Sequence, residues 1–247
     1  MITKRIIPCL YVKHGQLSGV NNFDGTLVQL AQAYSAGGAD ELAFYDIVAS
    51  AEEKALLVPA LKEVAKTVFI PLTVGGGIHS TADFEMVLAC GADKVCVNSG
   101  ALKNPALVGE AARKYGDQCV VVSVDVRRVN DAYRVLTDGG KTLTDLDAVE
   151  WVKRCVGEGA GEVIVNSLDA EEQENGFDIP LLEKVCDRVN VPVIASGGAA
   201  CQKHFVDLFT QIPVVDAGLA SSVFHLGKVT MNELKAELAN NHINVRK

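Results

Sequence analysis

Long apolar runs, paired cysteines and an excess of positive charge are all missing from this sequence, and each absence removes a class of answer. No stretch approaches the ~18 apolar residues that a membrane-spanning helix needs. The opening Met1-Ile2-Thr3-Lys4-Arg5 leads directly into an apolar strand pattern, so neither a targeting segment nor a membrane role is expected. With 23 Lys and Arg against 31 Asp and Glu, the net charge is -8. Nucleic-acid surfaces recruit basic patches, so nucleic acid is not an expected partner. The seven cysteines (Cys9, Cys90, Cys96, Cys119, Cys155, Cys186, Cys201) are odd in number, scattered and never spaced C-x-x-C. They read as small buried hydrophobes in a reducing compartment, and a cytoplasmic location is expected. The five histidines (His14, His79, His204, His225, His242) show no ligand spacing, so neither a metal nor a cofactor is expected.

What is present is a regular alternation. Short β-branched or apolar runs predict strands at Arg5–Val12, Glu41–Asp46, Ile70–Val74, Lys94–Val97, Val120–Asp125, Glu162–Val165, Val193–Ala195 and Asp216–Leu219. Amphipathic stretches between them predict helices at Thr26–Gly37, Ala51–Lys66, Thr81–Cys90, Pro105–Tyr115, Asp147–Glu158 and Ile179–Val189. Eight βα units without a linker favour a closed (β/α)8 TIM barrel over a doubly wound sheet, as a single domain over residues 1–247. Val74-Gly75-Gly76-Gly77-Ile78 is echoed by Ala195-Ser196-Gly197-Gly198-Ala199, which suggests two half-barrels related by a pseudo-two-fold.

Each half supplies a glycine cluster after one strand and small polar residues after the next. Glycine lets backbone N–H groups approach an anion, and a following helix presents its positive end to it. One such cluster would read as a tight turn. Two in equivalent places point to two phosphate sites, at Gly77, Asn98 and Ser99 in one half and at Gly197, Gly198, Ser221 and Ser222 in the other.

Residues two apart share a face of a strand. The inward sets are then Arg5-Ile7-Cys9-Tyr11, Glu41-Ala43-Tyr45, Lys94-Cys96-Asn98 and Glu162-Ile164-Asn166. Arg5, Glu41, Lys94 and Glu162 should meet at the N-terminal end of the barrel, as a plug of paired charges or as a gate over a passage. At the other end Asp125 is an acid/base candidate, and Asp46 is either a weaker site candidate or a helix cap.

Lys4-Arg5-Ile6-Ile7-Pro8-Cys9-Leu10, Thr73-Val74-Gly75-Gly76-Gly77-Ile78, Gly91-Ala92-Asp93-Lys94-Val95, Ile194-Ala195-Ser196-Gly197-Gly198-Ala199 and Ser222-Val223-Phe224-His225 resemble the cyclase subunit of imidazole glycerol phosphate synthase. The resemblance covers nearly the whole chain. It implies a barrel that takes ammonia from a glutaminase subunit docked on its N-terminal face. The ammonia cleaves and cyclises a bis-phosphorylated ribulosyl aminoimidazole carboxamide ribonucleotide to imidazole glycerol phosphate, in histidine biosynthesis. It also implies that Arg5, Glu41, Lys94 and Glu162 gate the ammonia passage, and that Asp125 is one of two catalytic carboxylates.

Three departures stand against that pattern. Tyr11 occupies the position of the other catalytic aspartate, and a phenol with a reference pKa near 10 is a poor base at neutral pH. The loop Lys13–Thr26 is shorter than the family's, with Ser18 nearest the place of its lysine. After the sixth strand the family's Asp-Gly-Thr becomes Glu171-Glu172-Gln173, carboxylates that would repel a phosphate. Slow cyclisation is therefore expected. An alternative is a barrel of the same descent that only binds a phosphate ligand or activates a glutaminase, and a related sugar-phosphate isomerase is a third reading.

Overall fold

The computed structural model describes residues 3–14, 16–18, 25–47 and 51–246; part of the Lys13–Thr26 loop lies outside them. Eight parallel strands close on themselves: β1 (Arg5–Lys13), β2 (Leu42–Asp46), β3 (Leu72–Gly75), β4 (Lys94–Val97), β5 (Val120–Val129), β6 (Glu162–Ser167), β7 (Val193–Ser196) and β8 (Ala217–Ala220). Each pairs in parallel with its sequence neighbour, and β8 returns to β1 with Arg5 opposite Ala217. The eight predicted strands are all present, with ends shifted by at most two residues except for β5, which runs four residues further. Helices α1 (Leu27–Ala36), α2 (Ala51–Thr67), α3 (Thr81–Ala89), α4 (Ala106–Tyr115), α5 (Ala148–Glu158), α6 (Ile179–Cys186), α7 (Gln202–Gln211) and α8 (Met231–Asn240) follow the strands in order. The last two are additional to the six predicted helices, and α6 stops short of Val189.

Helix α5 illustrates the local logic. The Asp147 carboxylate accepts from the backbone N–H groups of Val149 and Glu150 at 3.0 and 3.1 Å, which caps the first turn. Ala148, Trp151, Val152 and Cys155 recur at helical spacing and form its buried face. Burying each large apolar side chain contributes about 1.5–3 kcal/mol. Gly159, at φ 117°, ends the helix in the left-handed conformation that only glycine adopts freely.

The core has two compartments. One lies between the barrel and the helices and includes Phe84, Leu107, Trp151 and Phe205. The smaller one fills the barrel interior with Ile7, Cys9, Ala43, Cys96, Val121, Ile164, Ile194, Ala217 and Leu219, against which Tyr11 and Tyr45 pack. The predicted strand parity thus holds.

A recurring aspartate fixes strand register at the N-terminal face. Asp40 accepts from the Ile6 N–H at 2.9 Å, Asp93 from Leu72 at 2.8 Å and Asp216 from Val193 at 3.0 Å. In each case the carboxylate just before one strand satisfies a backbone donor at the start of its neighbour.

One expectation is corrected here. Asp125 does not end its strand: β5 runs on to Val129 and turns into an antiparallel hairpin with Ala132–Thr137, which pairs in turn with Thr142–Asp147. Asn130 and Asp131 adopt positive φ at the first turn, as a tight hairpin requires. The second turn carries Asp138, Gly139 and Lys141 to the edge of the cavity at the C-terminal end of the barrel.

Candidate active site

That cavity, of about 980 Å³, opens at the C-terminal end of the barrel, where enzymes of this architecture hold their chemistry. Tyr11, Asp46, Gly77, Asn98, Ser99 and Asp125 all line it, so six of the sequence candidates converge. Asp125 is buried and held by two amides: Asn98 Nδ2 donates to Oδ2 at 2.9 Å and Asn166 Nδ2 donates to Oδ1 at 3.0 Å. Burial raises the Asp125 pKa from the ordinary carboxylate value, and the Asn166 and Asn98 donors oppose that shift. The group therefore sits in a fixed orientation with a strengthened affinity for protons, as suits an acid/base.

Tyr11 faces the same space but has the opposite character. The neighbouring Cys9 sulfur, burial and the Glu171 charge push its pKa well above 10. The phenol is therefore neutral at physiological pH, able to donate a hydrogen bond and unable to act as a base. Its ring stacks on Tyr45 at a centroid distance of 6.1 Å, and the Tyr45 hydroxyl donates to Cys96 Sγ at 3.1 Å. Tyr45 and Cys96 form part of the cavity floor.

The glycine clusters adopt matching geometries. Gly76 has φ 100°, and a Cβ there would lie 1.9 Å from the Asp46 carbonyl oxygen. Gly197 has φ 92°, and its Cβ would lie 2.4 Å from the Ser167 carbonyl oxygen. Only glycine fits either place, and the partners are the last residues of β2 and β6, which correspond in the two half-barrels. Short helices begin just beyond the next strands, Ser99–Lys103 after β4 and Ser222–His225 after β8. Their caps, Asn98 and Ser221, lack side-chain capping bonds, so first-turn N–H groups are left without that partner. The cavity takes in Gly77, Asn98 and Ser99, whereas Gly197, Gly198, Ser221 and Ser222 are not among its walls.

Several lining residues lie beyond the sequence candidates. Asn166, Ser196 and Leu219 come from strand ends, Ser123 from within β5, Lys103 from a short helix, and Asp138 and Lys141 from the hairpin. Strand parity already grouped Asn166 with the inward residues, and Asp138-Gly139-Gly140 is a turn signal between alternating runs. Both members of the acidic pair after β6 line the cavity, and Glu172 is engaged by Arg127 Nη2.

At the opposite end, the predicted quartet forms a closed ring. Arg5 donates to Glu41 at 2.8 Å and to Glu162 at 2.6 Å, and Lys94 bonds the same two carboxylates at 2.9 and 2.7 Å. The Thr73 hydroxyl adds a bond to Glu41 at 2.6 Å. Both glutamates are buried and each faces two cations, which is the arrangement that buried charge requires.

The family model described as "Histidine biosynthesis protein" matches residues 5–230. Three curated relatives are each matched over the full length of both chains, and all three are described as "Imidazole glycerol phosphate synthase subunit HisF". Those from Lacticaseibacillus paracasei and Flavobacterium psychrophilum are 47% and 45% identical to this chain. The one from Bacillus cereus strain G9842 is 44% identical. A closed eight-stranded barrel, a cavity at its C-terminal end and full-length identity of this degree agree, and the chain belongs to the histidine biosynthesis family as a HisF-type cyclase subunit.

Proposed function

We propose that this barrel carries out the cyclase step of imidazole glycerol phosphate synthase. It uses ammonia to cleave and cyclise the bis-phosphorylated ribulosyl aminoimidazole carboxamide ribonucleotide, releasing imidazole glycerol phosphate and aminoimidazole carboxamide ribonucleotide. The observation that carries the reading is Asp125, buried at the cavity and held by Asn98 and Asn166. A carboxylate so placed can take a proton from the ammonia adduct and return it to the departing nitrogen.

In this reading the two phosphates rest at opposite sides of the barrel mouth. One is held by Gly77, Asn98 and Ser99 with Lys103 and Lys141 nearby, and the other by Gly197, Gly198, Ser221 and Ser222, while Asp46 lines the wall between strand ends. The N–H groups of the uncapped first turns support this, since such groups bind anions without relying on net charge. Engagement of Glu172 by Arg127 removes part of the repulsion expected on the β6 side.

Ammonia would enter from a glutaminase subunit on the N-terminal face, through the ring of Arg5, Glu41, Lys94 and Glu162. The ring closes the base of the barrel interior, so passage requires one of its four ion pairs to open. We place the protein in the cytoplasm, a reading supported by the seven free cysteines. No helix among the described residues is long and apolar enough to cross a membrane.

The test is direct: incubation with the bis-phosphorylated substrate and ammonium chloride at pH 8, with both products followed by chromatography. Formation of both in equal amounts supports the reading. Substrate that is bound but returned unchanged would replace it with a binding role.

A further inference from the structure

We infer that Glu171 is the second acid/base carboxylate of this active face, acting on the substrate together with Asp125 in place of the phenol of Tyr11. The inference rests on the cyclase reading above and goes beyond it, because it assigns the proton transfers that one carboxylate cannot perform at two places on one substrate.

Position is the first argument. Glu171 belongs to the short helix Leu168–Gln173, which starts directly after β6 and is capped by Ser167, whose hydroxyl accepts from the Ala170 N–H at 3.4 Å. That helix brings Glu171 to the wall of the cavity that also contains Asp125, Tyr11 and Asn166. Asn166, near the end of β6, lines the same cavity. Its amide donates to Asp125 at 3.0 Å, while its carbonyl oxygen accepts from Ser196 Oγ at 3.0 Å. The amide is thus fixed from two sides.

The second argument is that its acidic neighbours are committed elsewhere. Glu172 is engaged by Arg127, Asp169 accepts from the Arg128 N–H at 2.7 Å, Asp138 pairs with Lys103 at 3.1 Å, and Glu174 pairs with Lys228 at 3.6 Å. Asp178 accepts from the Ser167 hydroxyl at 2.9 Å. Among the described residues Glu171 is in no ion pair. It reaches both the cavity and solvent, so it can exchange protons between turnovers.

Electrostatics agrees with the geometry. Burial raises the Glu171 pKa from its ordinary value, the Asn166 donor opposes this, and the Asp125 and Glu172 charges raise it further. The titratable groups whose charges interact with that of Glu171 are Asp125, Glu172, Tyr11 and Cys9. With both carboxylates raised by burial and the Asp125 charge raising Glu171 further, a state in which one of the two is protonated is favoured. The protonated member then gives its proton to the departing nitrogen while the ionised member takes one from the ammonia adduct. The pair is restored without any co-reactant.

The experiment compares kcat and KM across pH at constant free ammonia for the unmodified chain, Glu171→Gln, Glu171→Asp, Tyr11→Phe and the double variant Tyr11→Asp/Glu171→Gln. Thermal melts confirm that each is folded. Glu171→Gln is expected to lower kcat by about 100-fold or more with little change in KM, and to remove one ionisation from the kcat profile. Glu171→Asp should keep that ionisation, Tyr11→Phe should keep most of the rate, and the double variant should recover at least about 10-fold over Glu171→Gln. Product from Glu171→Gln at the parent rate with an unchanged profile, or an effect confined to KM, overturns this inference alone. No product from the unmodified chain overturns the cyclase reading and this inference with it.

Discussion

Asn166 Nδ2 lies 3.0 Å from Asp125 Oδ1 and donates to it, so the amide at the end of β6 sets the orientation and the proton affinity of the carboxylate on β5. Removing the donor in Asn166→Ala takes away an interaction that favours the ionised form. The Asp125 pKa should rise, and the acidic limb of the kcat profile should move to higher pH. Asn98→Ala should act in the same direction, since its amide holds the other oxygen at 2.9 Å. An acidic limb that stays in place in both variants would show that another group titrates there.

The ring at the N-terminal face predicts a different pattern. Arg5→Ala leaves Glu41 and Glu162, both buried, with only Lys94 to balance them. Breaking a buried pair in this way costs about 3–5 kcal/mol, to be read from urea denaturation. If the ring also controls ammonia entry, glutamine-supported turnover in the presence of the glutaminase should change in Arg5→Ala by a larger factor than turnover supported by ammonium chloride. Equal changes in both would leave the ring as a structural plug.

Two glycines should respond with opposite signs. Gly76→Ala places a Cβ 1.9 Å from the Asp46 carbonyl oxygen at φ 100°, so it should destabilise by about 1–3 kcal/mol or more. Gly157 sits within α5 with nothing within 4 Å of an added Cβ, so Gly157→Ala should stabilise by about 0.5–1 kcal/mol. Midpoints of chemical denaturation would separate the two, and a stabilised Gly76→Ala would contradict the close approach.

Strand parity makes the charge ring and the barrel interior legible, because alternation is a local property that barrel closure preserves. Arg5, Glu41, Lys94 and Glu162 each open an alternating apolar run, and that position alone groups them at one end of the barrel. The hairpin after Val129 is not legible in the same way, since the Asn130-Asp131 and Asp138-Gly139-Gly140 turns read equally well as a loop leading to α5. Glu171 and Glu172 both line the cavity, yet only Glu172 is held by Arg127. That difference depends on how a short helix is rotated against the barrel mouth, which neighbouring residues alone do not encode. The second glycine cluster lies at the C-terminal ends of the strands, with Gly198 close to the Gly176 carbonyl, and its residues are not among the cavity walls.

Buried His225 gives a stability prediction. Its Nδ1 shares a hydrogen bond with the Tyr34 hydroxyl, and burial lowers its pKa from 6.5. The unfolded chain then takes up a proton more readily than the folded one, so stability present above about pH 6.5 is lost as pH falls below it. Melting temperatures between pH 5 and 8 should fall more steeply on the acid side for the unmodified chain than for His225→Gln. Parallel curves would assign the acid loss to other groups.

The central claim is that Asp125 moves protons for ammonia-dependent cyclisation in this cavity. The measurement that tests it most directly is steady-state product formation from the bis-phosphorylated substrate and ammonium chloride, comparing the unmodified chain with Asp125→Asn. Turnover by the parent and a loss of about 100- to 10,000-fold in kcat for the variant, with KM nearly unchanged, is the expected result. Equal rates for the two proteins, or no product from either, would contradict it.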